Sequence, residues 1–541
     1  MSVLFNNPLL GASGQGPSAD LGEPIDQSLR FRSGSSTYGG HLSRAITTSS
    51  TTAALTISFW VKLGNIPAGN NRFIFSSGTA GTASGNISYN MATSEAILRF
   101  QDTSSYTAFS TQKLRDFSAW YHIVYRFDAA SEFVKVYVNG SEHSSTSIAT
   151  SARTSFGATS PMQIGRYADS AYGNNYFSGY LAEWNMLFGT SLGPDSFGRT
   201  NDDGVWVPIS LSSLTSNQYG ALGNRLVFDS SAGLGDDTAP TGGTHASAND
   251  FTATGFDTAA ISSSNFDNDI DYNDTPTSNY ALGLPIADLP GATPGGSWSE
   301  ANLKVTGASA GLYFGTASME WAVDDTNTYY WEIECVNTPS GQYPQIVLFQ
   351  PWSSVWNKNV FLWSMDIGTA QFINDAGTTS PSQTWDTFAA GDIAQIYFDG
   401  STNTIYGAKN GGSYNSFVIP SRTRPMRPGF MCPPQNSAVQ RVNFGQRPFV
   451  YTPPTGYSAL QTNNLPEPTI KNGSEHFQAI TAGPDQGVGA GELGGNWSTY
   501  LSAPGVIWSG SNQSGAFAFN NNLTNYATFS GVGPLVFEPD T

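Results

Sequence analysis

Charge is the scarcest property of this sequence. Only 12% of its 541 residues are Asp, Glu, Lys or Arg, about half the usual ~25%. Acids outnumber bases 41 to 23, for a formal charge of −18. That balance excludes a sequence-independent nucleic-acid binder, which needs a basic face to release counterions, and it disfavours anionic membrane surfaces. Cysteine is nearly absent: Cys335 and Cys432 build no disulfide framework and read as two buried thiols. No apolar run reaches the ~18 residues of a membrane helix, so no insertion is expected. The first base is Arg30, so the N-terminus lacks the n-region of a signal peptide. An extracellular-looking composition with neither export signal nor disulfides fits a protein made in a cytoplasm and used outside a cell.

Aromatic residues are plentiful, at 13%, with 13 Trp and 33 Phe. They supply several cores, and the length suggests roughly three or four domains. Residues 1–27 are rich in Gly, Pro and Ser and read as an extended arm. Over 28–235 the pattern alternates with period two. LTISFWVKLG (Leu55 to Gly64) is a strand. HIVYRFD, DAASE and FVKVYVNG make a hairpin ending on an Asn-Gly turn. MQIGRYADSAYGNNYFSGYLAEWNMLFG holds two strands around a polar loop. Residues 236–290 hold nine Asp and no Glu, Lys or Arg; they read as a linker or long irregular loop. Residues 291–460 return to strands, with YYWEIE and a hairpin turning at DGSTN. Residues 461–541 form a hinge and a β region in which FAFNN and YATFS lead to PLVFEP. A strand at the end suggests either a small sandwich closed by partner chains or a part of a longer protein. The fold class is all-β, as tandem β-sandwiches.

The ISFWVK strand, the AWYHIVYRFD…VKVYVNG hairpin and the IGRY…YFSGYLAEWNMLFG pair resemble a laminin G-like, concanavalin A-type jelly roll. The variant is similar to that of structural and tail-fibre proteins of marine bacteriophages. FGRTNDDGVWVP and LVFDSSAGLGDD continue that likeness, and it covers about 28–235. YYWEIE, GDIAQIYFD…TIYGAKNG and VNFGQRPF resemble the SPRY β-sandwich family; IVLFQPWSSVWNKNVFLW departs from it, so no ligand contacts carry over there. The resemblance implies a virion-surface protein that docks to other virion proteins through its arm, assembles as a homo-oligomer (a trimer favoured) and binds host-surface glycans. A capsid decoration or head-fibre protein is the structural alternative, and a glycan depolymerase the enzymatic one.

Motifs for catalysis are missing. The five histidines are dispersed, with no HExxH, paired CxxC or GxSxG. His122, mid-strand beside Trp120 and Tyr121, reads as a packing residue. GVGAGELGGN lacks GK[ST] and reads as a turn or linker. Glu332 and Glu334 have the i, i+2 spacing of a glycosidase pair, but read as the solvent face opposite Trp331, Ile333 and Cys335. No enzymatic activity is expected. Glycan recognition needs rings for sugar C–H faces and amides or carboxylates for hydroxyls. Two loops have that composition: Tyr167, Asp169, Tyr172, Asn174, Asn175 and Tyr176 in one, Gln350, Trp352, Trp356 and Asn357 in the other. The bland reading of both is loop-base packing. No cofactor is expected. NFDNDIDYNDTPTSNY places Asp267, Asp269 and Asp271 at calcium-loop spacing, yet Tyr272 replaces the turn Gly and Ser278 the bidentate Glu. It reads as a domain boundary, with DTPTSNY (Asp274 to Tyr280) similar to the junction after the phage jelly roll and calcium a secondary option. Asp202 and Asp203 read as exposed.

Overall fold

The computed structural model describes residues 20–465, with the exception of 33–38, 48–49, 65–70, 79–84, 92–95, 103–105, 132, 144–155, 157–160, 168–174, 232, 271, 285–296, 308–312, 324, 338–343, 351–357, 375, 421, 423–424 and 433–437. It also describes 506–507 and 536–537. The chain is nearly all β and forms tandem β-sandwiches.

Alternation builds the first sandwich. In the strand Ala54–Leu63, Leu55, Ile57, Phe59, Val61 and Leu63 point into one core, because successive side chains face opposite sides. This strand sits mid-sheet, in the spatial order Leu29–Phe31, Gly179–Phe188, Ala54–Leu63, Tyr121–Asp128, Phe133–Val138, Ser141–Glu142; Asn224–Leu226 also pairs with Gly179–Phe188. The facing sheet runs Thr252–Thr254, His41–Arg44, Met162–Ile164, Asn71–Ser77, Gly85–Met91, Ala96–Asp102, Tyr106–Leu114. The two strands around the GRYADSAYGNNYFS loop therefore belong to opposite sheets. Asn139 and Gly140 both have positive φ (47° and 79°), as a two-residue hairpin turn requires. The outer face of the first sheet is covered as well: Val124 and Leu187 pack on Phe197, Leu211, Leu214 and Tyr219. This covering explains why Thr56 and Ser58 are buried on a face that an antiparallel sheet commonly leaves to water.

The second sandwich pairs a sheet of Gly283–Leu284, Tyr313–Ala317, Arg427–Cys432, Gln345–Phe349, Val360–Ser364, Thr369–Ile373 and Gln383–Thr384 with another of Ser297–Ser299, Lys304–Thr306, Val439–Asn443, Thr328–Asn337, Ile393–Asp399, Thr404–Lys409 and Asn415–Val418. Trp321, Trp331, Ile333, Ile396 and Phe398 are buried between them. Cys335 is a buried thiol; the Cys432 side chain lies outside the described residues. In the C-terminal unit, Val506–Ile507 pairs antiparallel with Val536–Phe537; FAFNN, YATFS and GVGAGELGGN lie outside the described residues.

The segment between the sandwiches holds no cation, so any acid it buries must find its counter-charge elsewhere. Asp267 and Asp269 are 4% and 1% exposed. Asp267 meets Arg30 at 2.8 Å, Arg32 at 3.7 Å, Arg441 at 3.3 Å and Arg447 at 3.3 Å. Arg30 and Arg32 come from the first sandwich, Arg441 and Arg447 from the second. Asp269 takes Arg30 and Arg32, Arg32 reaches Asp257, and Arg441 reaches Glu300 and Glu334. With Lys304 on Glu300, five cations and five carboxylates form one neutral network. Burial would push Asp267 up, but the arginines, Arg30 foremost, hold it well below the usual carboxylate range. The arginines supply the positive charge that calcium would have brought to Asp267 and Asp269; Asp271 lies outside the described residues.

The junction is thus ionic and buried at its centre. Tyr180 of the first sandwich donates to Ala301 O of the second at 3.1 Å. Ala301 lies in a run of three left-handed residues, Glu300, Ala301 and Asn302 (φ 52°, 55° and 66°). Such a backbone is unfavourable for side chains with a Cβ. It is held by Glu300–Arg441 and by Gly283 N–H on Asn302 O at 2.8 Å. Changing Asp267→Asn leaves three buried guanidinium groups and the half-buried one of Arg441 short of their shared carboxylate. A loss of about 3–5 kcal/mol is expected in denaturant unfolding, the usual consequence of removing one side of a buried ion pair. A loss below ~1 kcal/mol would contradict the assignment.

Candidate functional site

Of the loop residues expected to bind glycan, the described Tyr167, Asn175 and Tyr176 are half-buried and Gln350 is buried. Tyr167 lies against Phe73, ring centroids 4.5 Å apart. Tyr176 fills the space beside Gly39, where a Cβ would approach its ring to 2.8 Å. The Asn175 carbonyl accepts from Phe73 N–H at 3.3 Å. Gln350 is buried, and its backbone N–H donates to Asn359 O at 2.9 Å. Asp169, Tyr172, Asn174, Trp352, Trp356 and Asn357 lie outside the described residues. Asp202 is exposed and Asp203 half-buried.

A cleft of about 220 Å³ opens on the outer face of the first sandwich, lined by Ser58, Trp60, His122, Glu183, Asn185 and Arg225 and roofed by Glu23–Ile25 and Pro208–Ser212. Four strands deliver these side chains through register: Trp60 lies opposite His122, Ser58 opposite Asn185, and Asn185 opposite Arg225. Glu183 sits in a β-bulge with φ 48°, which re-aims its side chain. The groups satisfy one another. Arg225 Nε donates to Glu183 at 2.7 Å and Tyr219 OH to Asn185 at 2.8 Å. Trp206 Nε1, which can only donate, lies 3.0 Å from His122 Nδ1. Nδ1 is therefore the acceptor, the ring proton sits on Nε2, and Nε2 donates to Ser58 Oγ at 2.9 Å. Burial pushes His122 down to about 3. Ser58 faces an N–H rather than a lone pair, so the pair cannot act as nucleophile and base.

The second sandwich carries a different face. Register places Tyr330 opposite Tyr397, and Tyr397 opposite Tyr406, across three strands. Tyr397 and Tyr406 stack at 4.2 Å and 11°, and Tyr414 meets Tyr397 edge-on at 4.9 Å. Tyr451 and Tyr457 come from the returning 447–460 segment; Tyr457 is 37% exposed and the other outer rings are half-buried. Gln395 and Glu332 lie at the base of this face. Gln395 Nε2 donates to Tyr414 OH at 3.3 Å and its Oε1 accepts from Gly411 N–H. Burial, with Tyr406 and Tyr414 nearby, pushes Tyr397 up to about 12, so its phenol stays a neutral donor.

Glu332 requires a correction. It does not face solvent: it is fully buried, because the 447–460 segment folds back over that side. It accepts from Val450 N–H, Tyr451 N–H and Tyr330 OH, each at 2.9 Å. Burial raises its pKa against the pull of those donors. Glu334 pairs with Arg441. The two acids serve separate networks and do not converge as a hydrolytic pair.

Sequence reasoning missed the tyrosine face because each ring sits in a different strand. The usable signal was parity: Tyr330 and Glu332 share one face, as do Gln395 and Tyr397, and the DGSTN turn aligns Tyr397 with Tyr406. No curated protein matches the sequence. A family model described as the concanavalin A-like lectin/glucanases superfamily matches residues 36–194. Among solved structures, the SPRY domain of human HERC1 is similar at 15% identity, covering 30% of this chain and 93% of that one, TM-score 0.23. A heptameric SAP-like pentraxin from Limulus polyphemus is similar at 18% identity, covering 32% and 80%, TM-score 0.26.

His122 also predicts a pH response. Its folded pKa is depressed below the ordinary 6.5, so its contribution to stability is present above pH 6.5 and lost as pH falls toward 3. Nitrogen NMR should show an Nε2–H tautomer that does not titrate between pH 5 and 8. Titration near 6.5 would contradict the buried Trp206–His122–Ser58 chain.

Proposed function

We propose that this is a carbohydrate-binding protein of a bacteriophage virion surface, a tail fibre or adhesin that holds host glycans without cleaving them. The tyrosine face of the second sandwich carries the reading. Half-exposed rings next to an amide and phenol hydroxyls offer both contacts a pyranose needs, apolar C–H stacking and hydroxyl pairing. The concanavalin A-like lectin/glucanase match over 36–194 supports carbohydrate recognition, and the likeness of the jelly roll and the DTPTSNY junction to phage virion proteins supports the location. Binding without cleavage is favoured by the separate engagements of Glu332 and Glu334 and by the tautomer of His122.

Each stacked ring contributes about 0.5–1.5 kcal/mol, so a single site is weak. Copy number on a particle would raise avidity, in keeping with a homo-oligomer, a trimer favoured, docked to other virion proteins through the arm. Within that arm, residues 20–27 lie along the chain itself: Asp20 pairs with Arg199 at 2.7 Å and Glu23 N–H donates to Pro208 O.

Labelled protein applied to host cells and to a panel of their surface polysaccharides tests the reading. Tyr406→Ala and Tyr414→Ala should each weaken binding by about tenfold or less while leaving thermal stability near wild type. Absence of cell and glycan binding, with the protein found on the particle head, would favour a decoration protein and overturn the adhesin. Release of reducing ends would overturn the non-enzymatic reading.

A further inference from the structure

Lys62, next to last in its strand, stands in a place no lysine occupies without a reason. It is fully buried, and so is Asp274; Asn279 is 3% exposed. Lys62 Nζ lies 2.8 Å from Asp274 Oδ2 and 2.7 Å from Asn279 Oδ1. Trp120 Nε1 and Tyr280 N–H both donate to Asp274 Oδ1, at 2.9 and 3.3 Å. That fixes the carboxyl and leaves Oδ2 as its oxygen nearer Nζ. Nζ also lies 2.8 Å from Tyr280 O.

An amine, a carboxamide and a carboxyl group buried together are the reactants and the acid–base group for amide exchange. We propose that Lys62 and Asn279 join in an intramolecular isopeptide bond, with Asp274 moving the protons. The Nζ lone pair attacks Asn279 Cγ and forms the new C–N bond. Asp274, entering as the carboxylic acid, delivers its proton to Nδ2 and then takes one from the Nζ that has become positively charged. The Cγ–Nδ2 bonding pair departs with that nitrogen as ammonia, and Asp274 ends as it began. Amine plus primary amide yields secondary amide plus ammonia, with no oxidant, reductant or nucleotide required.

Two features of the site favour the reaction. Burial lowers the Lys62 pKa and raises that of Asp274, each shift opposed by the other group's charge, toward the neutral amine and the carboxylic acid. The fold supplies proximity, turning a bimolecular aminolysis into a first-order step between pinned groups. The product ties a central strand of the first sandwich to the segment that leads into the second, across 217 positions of sequence. It gives the DTPTSNY motif a chemical role for both its Asp and its Asn, independent of glycan binding.

Intact mass spectrometry of the full chain, purified folded and then denatured, is the test. The expected mass is lower than the sequence mass by one ammonia, with trypsin failing to cut after Lys62 and yielding a branched peptide through Asn279. Asn279→Asp should form the same bond with loss of water instead, and Asn279→Ala should keep its full mass. A wild-type chain of unaltered mass after prolonged incubation, or a link from Lys62 to Asp274, would overturn the proposal. The wild-type measurement decides even where a variant fails to fold.

Discussion

A carboxylate shared by four guanidinium groups is the constraint on which the main body depends. Asp267 lies in a segment that has no cation of its own, so its burial requires arginines from both sides. Unpaired, any of these charges would be intolerable in so buried a place. Together they are neutral, and the ring faces of Tyr272 and Phe266 lie 5.1 Å from Arg30 and Arg447 respectively. A buried ionic network of this kind adds little net stability over well-packed apolar residues. What it adds here is geometry: each arginine has one set of acceptors, so the joint has one arrangement.

On either side of that joint the two sandwiches differ in how their outer faces are covered. In the first, the sheet around Ala54–Leu63 is covered on both faces and turns its polar residues into an internally satisfied chain from Trp206 through His122 to Ser58. The second keeps one half-open face, where rings stand across three strands. A binding surface made of such rings works only if the strands beneath it do not slide. The 447–460 segment, held by Glu332 through two backbone N–H groups, locks that register.

Much of the fold was legible in the residues. LTISFWVKLG alternates, and its odd-numbered members from Leu55 to Leu63 form a core row. The Asn-Gly and DGSTN turns mark hairpins that form where expected, since each depends on a few adjacent residues. What depended on distant partners was not legible. The alternating aspartates displayed calcium-loop spacing, but nothing local revealed that Arg30 and Arg447 would reach them. Glu332 was misread for a related reason: alternation reports which residues share a face, not what later folds over it. The tyrosine face was hidden by the same gap between parity and register.

Cooperativity tests this account most directly. If the Asp267 network makes the joint part of both cores, differential scanning calorimetry of the protein should show the two sandwiches unfolding in one transition. Its calorimetric enthalpy should then equal the van't Hoff enthalpy. Two resolved transitions in the wild-type chain, one for each sandwich, would contradict the claim that the buried charges fuse them.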